Sequence, residues 1–146
     1  MEKSKMYKQV REKVIVIFPF YLLTLIPFLT SCQETLEERG TRDAQNYTEK
    51  HCPVTVEKGV VMDSMTFERS THTFCYSYTL SGAIDDSAVV AHSNLRESLL
   101  QQVRHSPNLR IYKEAGYNFR YIYYSTKNRG TKLFDATYRE SDYNKQ

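Results

Sequence analysis

Two histidine–cysteine pairs are the residues of this sequence whose types could support metal or thiol chemistry. His72 and Cys75 have the spacing of a zinc-ligand pair, but His51 and Cys52 are adjacent and would diverge on an extended chain. A catalytic thiol also needs a base that a third group orients, and no such pattern is present. We therefore predict no metal, no cofactor and no enzymatic activity.

Asp85 and Asp86 form an acidic pair that could serve as catalytic groups. Ser87 and a helical pattern follow them, and aspartate is favoured at a helix N-terminus, so capping explains both residues. The sequence contains no glycine-rich phosphate loop, no serine-centred elbow and no zinc-protease motif. We predict that no residue of the chain is catalytic.

Leu29-Thr30-Ser31-Cys32 resembles a bacterial lipobox, the sequence at which a lipoprotein precursor is lipidated and cleaved. A basic start and an apolar run from Val14 to Leu29 precede it, in the order that a secretory signal requires. A retained transmembrane anchor is the alternative, but the run is shorter than the roughly 20 apolar residues that span a bilayer and contains Pro19 and Pro27. We predict that residues 1–31 are a signal peptide and that Cys32 carries the lipid.

Lipidation of Cys32 would fix the compartment of the protein. Two or more acyl chains hold a protein stably on a membrane, at about 0.8 kcal/mol per buried methylene. The acidic residues Glu34, Glu37 and Glu38 resemble the surface-export signal of some Bacteroidota lipoproteins. We predict a lipid-anchored protein of the cell envelope, on the outer membrane, and leave the periplasmic and outward orientations open.

The charge balance excludes nucleic acid as a partner. The formal net charge is +3, but five of the 20 Lys/Arg and two of the 17 Asp/Glu precede Cys32, so the remainder carries 15 charges of each sign. A nucleic-acid binder needs an excess of Lys and Arg to neutralise phosphates. The neutral remainder has no such excess.

Cys52 and Cys75 are the cysteines that remain once Cys32 is acylated, and the envelope permits disulfides. A bridge between them would close a loop of about 23 residues, which the chain-entropy model values at roughly 3 kcal/mol. We predict this bridge, with two packed free thiols as the alternative.

The pattern of apolar residues predicts one small domain. Residues 32–50 are polar and are predicted to form a tether, with a short helix over 43–50 as the alternative for its end, which leaves residues 51–146 for the domain. Apolar residues alternate at period two in one region that ends at Phe74–Leu80 and in another from Tyr117 to Tyr138. Between them, an apolar stripe at helical spacing predicts a helix over 86–104. This order indicates an α+β fold, in which two β-hairpins form one antiparallel sheet of about four main strands packed on one long helix.

Three segments make the sequence similar to small Bacteroidota lipoproteins of α+β type. They are Cys52-Pro53, the tyrosine-rich strand at Phe74–Leu80 and the closing run Gly116–Tyr143. The resemblance covers roughly residue 52 onward, and its motifs are mainly structural. It implies the fold and the envelope compartment and supplies no activity.

Asn118, Arg120 and Tyr124 alternate with the apolar residues of their strand and are predicted to share one face of the sheet. If that face is uncovered, its aromatic and polar character suits a binding surface.

Ser64 and Ser87 each follow an aspartate in a three-residue pattern that resembles the O-glycosylation signal of Bacteroidota envelope proteins.

We predict a non-enzymatic binding or accessory module of the envelope, whose partner is a protein, a peptide or a glycan. The alternative is a small inhibitor-like domain that blocks an envelope or foreign enzyme. A hairpin turn inserted into an enzyme cleft, at residues 69–72 or 127–130, would favour the alternative.

Overall fold

The computed structural model describes residues 34–145. The predicted signal peptide and the predicted lipidation site, Cys32, lie outside this range. None of the helices within it is long and apolar enough to cross a membrane. The elements follow in the order α1 (Leu36–His51), β1 (Val54–Glu57), β2 (Val60–Glu68), β3 (Thr73–Leu80), α2 (Ser87–His92), α3 (Leu95–His105), α4 (Arg110–Glu114), β4 (Asn118–Ser125), β5 (Lys132–Tyr138) and α5 (Glu140–Tyr143).

A five-stranded mixed sheet forms the centre of the fold, with its strands in sequence order. Neighbouring strands are antiparallel except β3 and β4, which are parallel. The α+β class is confirmed, but the predicted sheet of four antiparallel strands is wrong in detail, because β1 adds a strand and the two hairpins meet through a parallel pair. Parallel neighbours need a long crossover connection, and residues 81–117, which include α2, α3 and α4, supply it.

The predicted long helix over 86–104 is two helices, α2 and α3, separated at Ser93. The backbone of Ser93 is extended (φ −78°, ψ 155°), and its hydroxyl donates a 2.6 Å hydrogen bond to the carbonyl oxygen of Val90. Such local side-chain bonds compete with helix continuation. Asp86 caps α2, as the sequence predicts, by accepting hydrogen bonds from two amides of its first turn. The capping prediction is wrong for Asp85, whose carboxylate accepts hydrogen bonds from Thr126 and Lys127 after β4.

The predicted tether over 32–50 is wrong for residues 36–50, which belong to α1. Thr35 and Glu38 form a capping box at the start of this helix. Gly40 is buried in α1, and a Cβ atom there would lie 3.2 Å from the ring of Phe74. Small residues therefore let the helix pack closely on the sheet, and the domain begins before residue 51.

Helix α1 also protects the edge of β2. Strand β1 pairs with β2 only as far as Met62. Further along β2, the hydroxyl of Thr48 accepts a 2.8 Å hydrogen bond from the amide of Met65 and donates a 2.7 Å bond to its carbonyl oxygen. Thr48 therefore takes the place of a neighbouring strand, which leaves less of this edge open for pairing.

Aromatic rings form the core on one face of the sheet. The parallel register of β3 and β4 stacks equivalent residues against each other, with ring centroids 4.6–6.1 Å apart. Three cross-strand pairs make this row: Phe74–Phe119, Tyr76–Tyr121 and Tyr78–Tyr123. All five described helices contribute to the same cluster, through Ala44, Val90, Leu99, Val103, Tyr112 and Tyr143. The helices therefore cover one face of the sheet, and the opposite face is left uncovered by them.

Candidate functional site

A cleft of about 290 Å³ opens between α1 and the α3–α4 segment, above strands β3 and β4. Its floor is aromatic, and its walls carry polar groups. The residues that matter most for its chemistry are Tyr76, Tyr78 and Tyr121 on the floor, Asp43 and Tyr47 on α1, and Gln102, Ser106 and Tyr112 on the opposite wall.

The three floor tyrosines are buried residues, but their hydroxyls have no hydrogen-bond partner among the described residues. Only 8% of Tyr76, 8% of Tyr78 and 3% of Tyr121 is exposed, and none of these hydroxyls makes a hydrogen bond with another described residue. Buried tyrosine hydroxyls usually find a partner. Three other core tyrosines do so: Tyr112 donates to Asp43, Tyr138 to the carbonyl oxygen of Arg96, and Tyr143 to that of Tyr117. The hydroxyls of Tyr117 and Tyr123, which are also buried residues, make none with a described residue.

The floor phenols are neutral at physiological pH. Burial raises the pKa of Tyr78 to about 12, and burial also raises the pKa of Tyr76 and Tyr121, with a contribution from neighbouring tyrosines. A neutral phenol can both donate and accept a hydrogen bond. The cleft therefore offers hydrogen-bonding groups in apolar surroundings, an arrangement that suits binding.

One carboxylate lies in the wall of the cleft. Asp43 Oδ2 accepts a 2.8 Å hydrogen bond from the hydroxyl of Tyr112, and Arg39 and Arg42 approach the same carboxylate at 3.7 and 3.4 Å. Burial, followed by the hydrogen bond to Asp43, raises the pKa of Tyr112. Asp43 is thus engaged by three neighbours, and its hydrogen bond with Tyr112 joins α1 to the opposite wall of the cleft.

A second hollow, of about 400 Å³, lies near the end of β3, between the β1–β2 turn and helices α2 and α3. Val60, Leu80, Ile84, Val89 and Leu95 give it a largely apolar lining. The tyrosine cleft is the better candidate site, because three tyrosine hydroxyls border it without a partner among the described residues, whereas the second hollow has one, that of Tyr123.

The alternation that ends at Phe74–Leu80 and that from Tyr117 to Tyr138 put Tyr76, Tyr78 and Tyr121 on apolar strand faces, but neither pattern reveals the cleft above them. Helix α1, which forms one wall of the cleft, lies in the segment that the sequence predicts to be a tether. The available signal was the choice of tyrosine over phenylalanine at successive inward positions, because each such tyrosine brings a hydroxyl into the core.

The two histidine–cysteine pairs do not form a common site. His72 Nε2 lies 2.7 Å from Glu37 Oε1, and the His72 ring stacks on Tyr117 at 4.9 Å. In the part of the chain that the structure describes, no group of three His, Cys, Asp or Glu side chains could hold a metal ion.

The predicted disulfide is wrong, because Cys52 and Cys75 are free thiols. Cys75 lies between the inward-facing Phe74 and Tyr76 of β3 and therefore points to the uncovered face. Cys52 follows α1 and packs against the core cluster on the helix-covered side. The sheet separates the two thiols, and burial raises the pKa of both.

Asn118, Arg120 and Tyr124 lie on the uncovered face of the sheet, at alternate positions of β4. Arg120 makes two hydrogen bonds with the carboxylate of Asp135, at 2.8 and 2.6 Å, and Asn118 donates to the carbonyl oxygen of Thr71 at 2.9 Å. Arg120 and Asn118 are therefore engaged within the domain. Binding at this face stays a prediction.

The two predicted glycosylation sites differ in their surroundings. Ser64 lies at an irregularity of β2 opposite Ser77 and is half-buried, whereas Ser87 is the exposed first residue of α2. Modification of either serine stays a prediction.

Residues 35–134 match the family model described as Domain of unknown function (DUF8479). This match covers more than half of the chain, which therefore belongs to that family. No curated protein matches the chain in sequence.

Three solved structures share the fold at low sequence identity. A Pseudomonas aeruginosa protein assigned as secreted (PA3611) is 10% identical, with a TM-score of 0.63 over 73% of this chain and 90% of that one. The pilotin EpsS of the Vibrio vulnificus type 2 secretion system is 11% identical, with a TM-score of 0.55 over 75% and 93%. The type II secretion system pilotin AspS of Vibrio cholerae is 14% identical, with a TM-score of 0.55 over 73% and 90%.

Proposed function

We propose that this chain is a lipid-anchored accessory protein of the cell envelope that binds a peptide segment of a partner protein in the tyrosine cleft. The resemblance of residues 29–32 to a lipobox supports the anchor. Two of the structures with the same fold are pilotins of type II secretion systems, and the third is assigned as secreted. The fold is thus used by proteins of bacterial secretion, which supports an accessory role in the envelope.

The observation that carries the proposed site is the set of hydroxyls on the buried residues Tyr76, Tyr78 and Tyr121, which border the cleft without a partner among the described residues. A peptide supplies the groups that these phenols lack, because its backbone offers both N–H donors and carbonyl acceptors. Its apolar side chains would fill the space above the rings. The cleft volume of about 290 Å³ lies near the lower limit of ligand pockets, roughly 300–1,000 Å³, which suits a few side chains.

Binding fits this chemistry better than catalysis. A general base or nucleophile needs a pKa matched to its task, but the phenols of the cleft are held neutral by burial. The carboxylate of Asp43 is already engaged by Tyr112 and two arginines. We therefore propose no reaction for this site.

Photo-crosslinking in the producing bacterium tests the proposed site. A photoreactive residue at Gln102, which is exposed at the cleft wall, should capture a specific protein. Capture should be lost when Tyr76→Phe and Tyr78→Phe are combined, since these changes remove hydroxyls while preserving the rings. A photoreactive residue at Tyr124, on the uncovered face, is the control and should capture little.

Other outcomes would contradict the cleft. Capture from Gln102 that the two phenylalanine substitutions leave unchanged would show that the hydroxyls do not bind the partner. Capture from Tyr124 alone would favour the uncovered face with Asn118 and Arg120. Capture of an enzyme by a photoreactive residue placed in the turn at residues 127–130 would favour the inhibitor-like alternative.

Metabolic labelling with a clickable fatty acid tests the anchor. The wild-type protein should be labelled, and Cys32→Ala should not be, because the acyl chains are carried by the sulfur and amine of that residue. Cys52→Ala is the matched control and should be labelled like the wild type. Equal labelling of wild type and Cys32→Ala would overturn the proposed anchor.

A further inference from the structure

The start of α1 is fixed at one end of the sheet. Glu37 Oε1 lies 2.7 Å from His72 Nε2, and Arg69 Nε donates a 3.1 Å hydrogen bond to Thr41 Oγ1. Both contacts join the first turns of α1 to the turn between β2 and β3. The chain therefore enters the domain beside this turn, which we call the entry end.

The turn between β4 and β5 lies at the opposite end. Strands β3 and β4 are parallel and in register, from Thr73 opposite Asn118 to Leu80 opposite Ser125. The β2–β3 turn precedes this ladder, and the β4–β5 turn follows it. Eight residues at about 3.3 Å each separate the two turns by roughly 25 Å.

The connection to the proposed anchor is shorter than this distance. Cys32 precedes Leu36, the first residue of α1, by four positions. Four residues span at most about 14 Å even when fully extended. If the β4–β5 turn faced the bilayer instead of the entry end, the start of α1 would lie roughly 25 Å from the bilayer. The connection to Cys32 is too short to reach that far.

We infer that the entry end of the domain faces the lipid bilayer and that the β4–β5 turn points away from it. This inference rests on the proposed lipid anchor at Cys32. The exposed residues of the β2–β3 turn, Arg69, Ser70 and Thr71, are polar, whereas the exposed Val56 and Val89 lie in β1 and α2. The entry end therefore rests against lipid headgroups without inserting, and the acyl chains supply the binding energy.

Energy transfer from a single tryptophan to a headgroup-labelled lipid tests this orientation. The chain contains no tryptophan, so a residue introduced as Ser70→Trp or Asn128→Trp is the sole indole donor. The full-length lipidated protein would be purified from bacterial membranes and reconstituted into phosphatidylethanolamine–phosphatidylglycerol vesicles that contain dansyl-phosphatidylethanolamine. Transfer from Ser70→Trp should exceed that from Asn128→Trp several-fold, because transfer falls steeply with distance.

A lengthened connection provides the matched control. A flexible Gly-Ser insertion between Gln33 and Glu34, long enough to exceed the separation of the two turns, should bring the two transfer efficiencies together. Equal transfer from both positions without the insertion, whether strong or absent, would overturn the inferred orientation. Stronger transfer from Asn128→Trp would overturn it as well.

Failure of the anchor would give a different result. Protein that does not associate with the vesicles, and that gives the same result as Cys32→Ala, would contradict lipidation and with it the orientation. Vesicle-bound protein that fails to distinguish the two tryptophan positions would contradict the orientation alone.

Discussion

Tyr76 and Tyr121 stack on neighbouring parallel strands, with ring centroids 4.7 Å apart and ring planes 16° from parallel. Such aromatic pairs contribute about 0.5–1.5 kcal/mol beyond the burial of their surface. The hydroxyls of both residues border the cleft and have no partner among the described residues. The rings therefore stabilise the fold, while the hydroxyls stay available to a ligand.

Tyr76→Phe should leave the free energy of unfolding unchanged or slightly higher, because the hydroxyl that it removes makes no hydrogen bond within the described domain. Tyr143→Phe is the matched control. It removes the buried 2.9 Å hydrogen bond to the carbonyl oxygen of Tyr117 and should cost about 1–3 kcal/mol. Urea denaturation of both variants measures the difference, and equal losses would contradict the assignment of a free hydroxyl to Tyr76.

Thr48→Val should destabilise the protein by about 1–3 kcal/mol, because it leaves the amide and the carbonyl of Met65 without the hydroxyl that satisfies both. Valine preserves the shape of the side chain, so the loss reports on the hydrogen bonds. Thr66→Val is the control, since Thr66 is exposed on the same strand. Urea denaturation should show little change for Thr66→Val, and a similar result for Thr48→Val would refute the role of Thr48 as a substitute strand neighbour.

Helix α1 shows why part of the fold could not be predicted from the sequence. A surface helix is usually recognised by a stripe of large apolar residues, but α1 packs through Gly40 and Ala44. Glycine is unfavourable within a helix by about 1 kcal/mol, and here it is needed because the rings of Phe67 and Phe74 lie against the helix backbone. The same packing hid one wall of the cleft.

The hairpins could be predicted because their signals are local. The alternation at Phe74–Leu80 marks the inward face of β3, and the structure places all four apolar residues of that face in the core. How the hairpins join depends on where the crossover returns, and no local pattern specifies that. The break at Ser93 is likewise set by one side-chain bond to Val90, which a helical periodicity does not reveal.

Both Cys52 and Cys75 should react with an alkylating reagent in denaturant without prior reduction, because each is a free thiol. In the folded protein the reaction should be slow, since burial raises the pKa of both thiols and the thiolate is the reactive form. Intact mass of the alkylated protein counts the modified cysteines. A mass without modification of either residue would restore the disulfide that the sequence predicted.

Asp85 ties the loop after β3 to the β4–β5 turn. Its Oδ2 accepts hydrogen bonds from the amides of Thr126 and Lys127, at 3.0 and 2.8 Å, and from the Thr126 hydroxyl at 2.8 Å. Burial opposes ionisation of this carboxyl, but hydrogen bonds from Ser125, Lys127 and Thr126 outweigh burial and lower its pKa to about 2. The ionised form therefore stabilises the folded state at pH values above the ordinary carboxyl pKa near 3.8.

The free energy of unfolding should fall as the pH drops from about 4 towards 2, because protonation of Asp85 removes an acceptor that the turn depends on. Asp85→Asn should lower stability at neutral pH and make this fall less steep. Asp135, whose pKa is lowered to about 2 mainly by the hydrogen bond from Arg120, contributes in the same window, so Asp135→Asn should also reduce the steepness. It should leave the β4–β5 turn protected from hydrogen exchange, whereas Asp85→Asn should weaken the protection of the Lys127 amide, because its acceptor is the carboxylate of Asp85. The amide of Thr126 also donates to the carbonyl oxygen of Leu80 and should stay protected. Urea denaturation across this pH range, together with hydrogen exchange of the Lys127 amide, separates the two carboxylates, and unchanged protection of this amide in Asp85→Asn would contradict the assigned role.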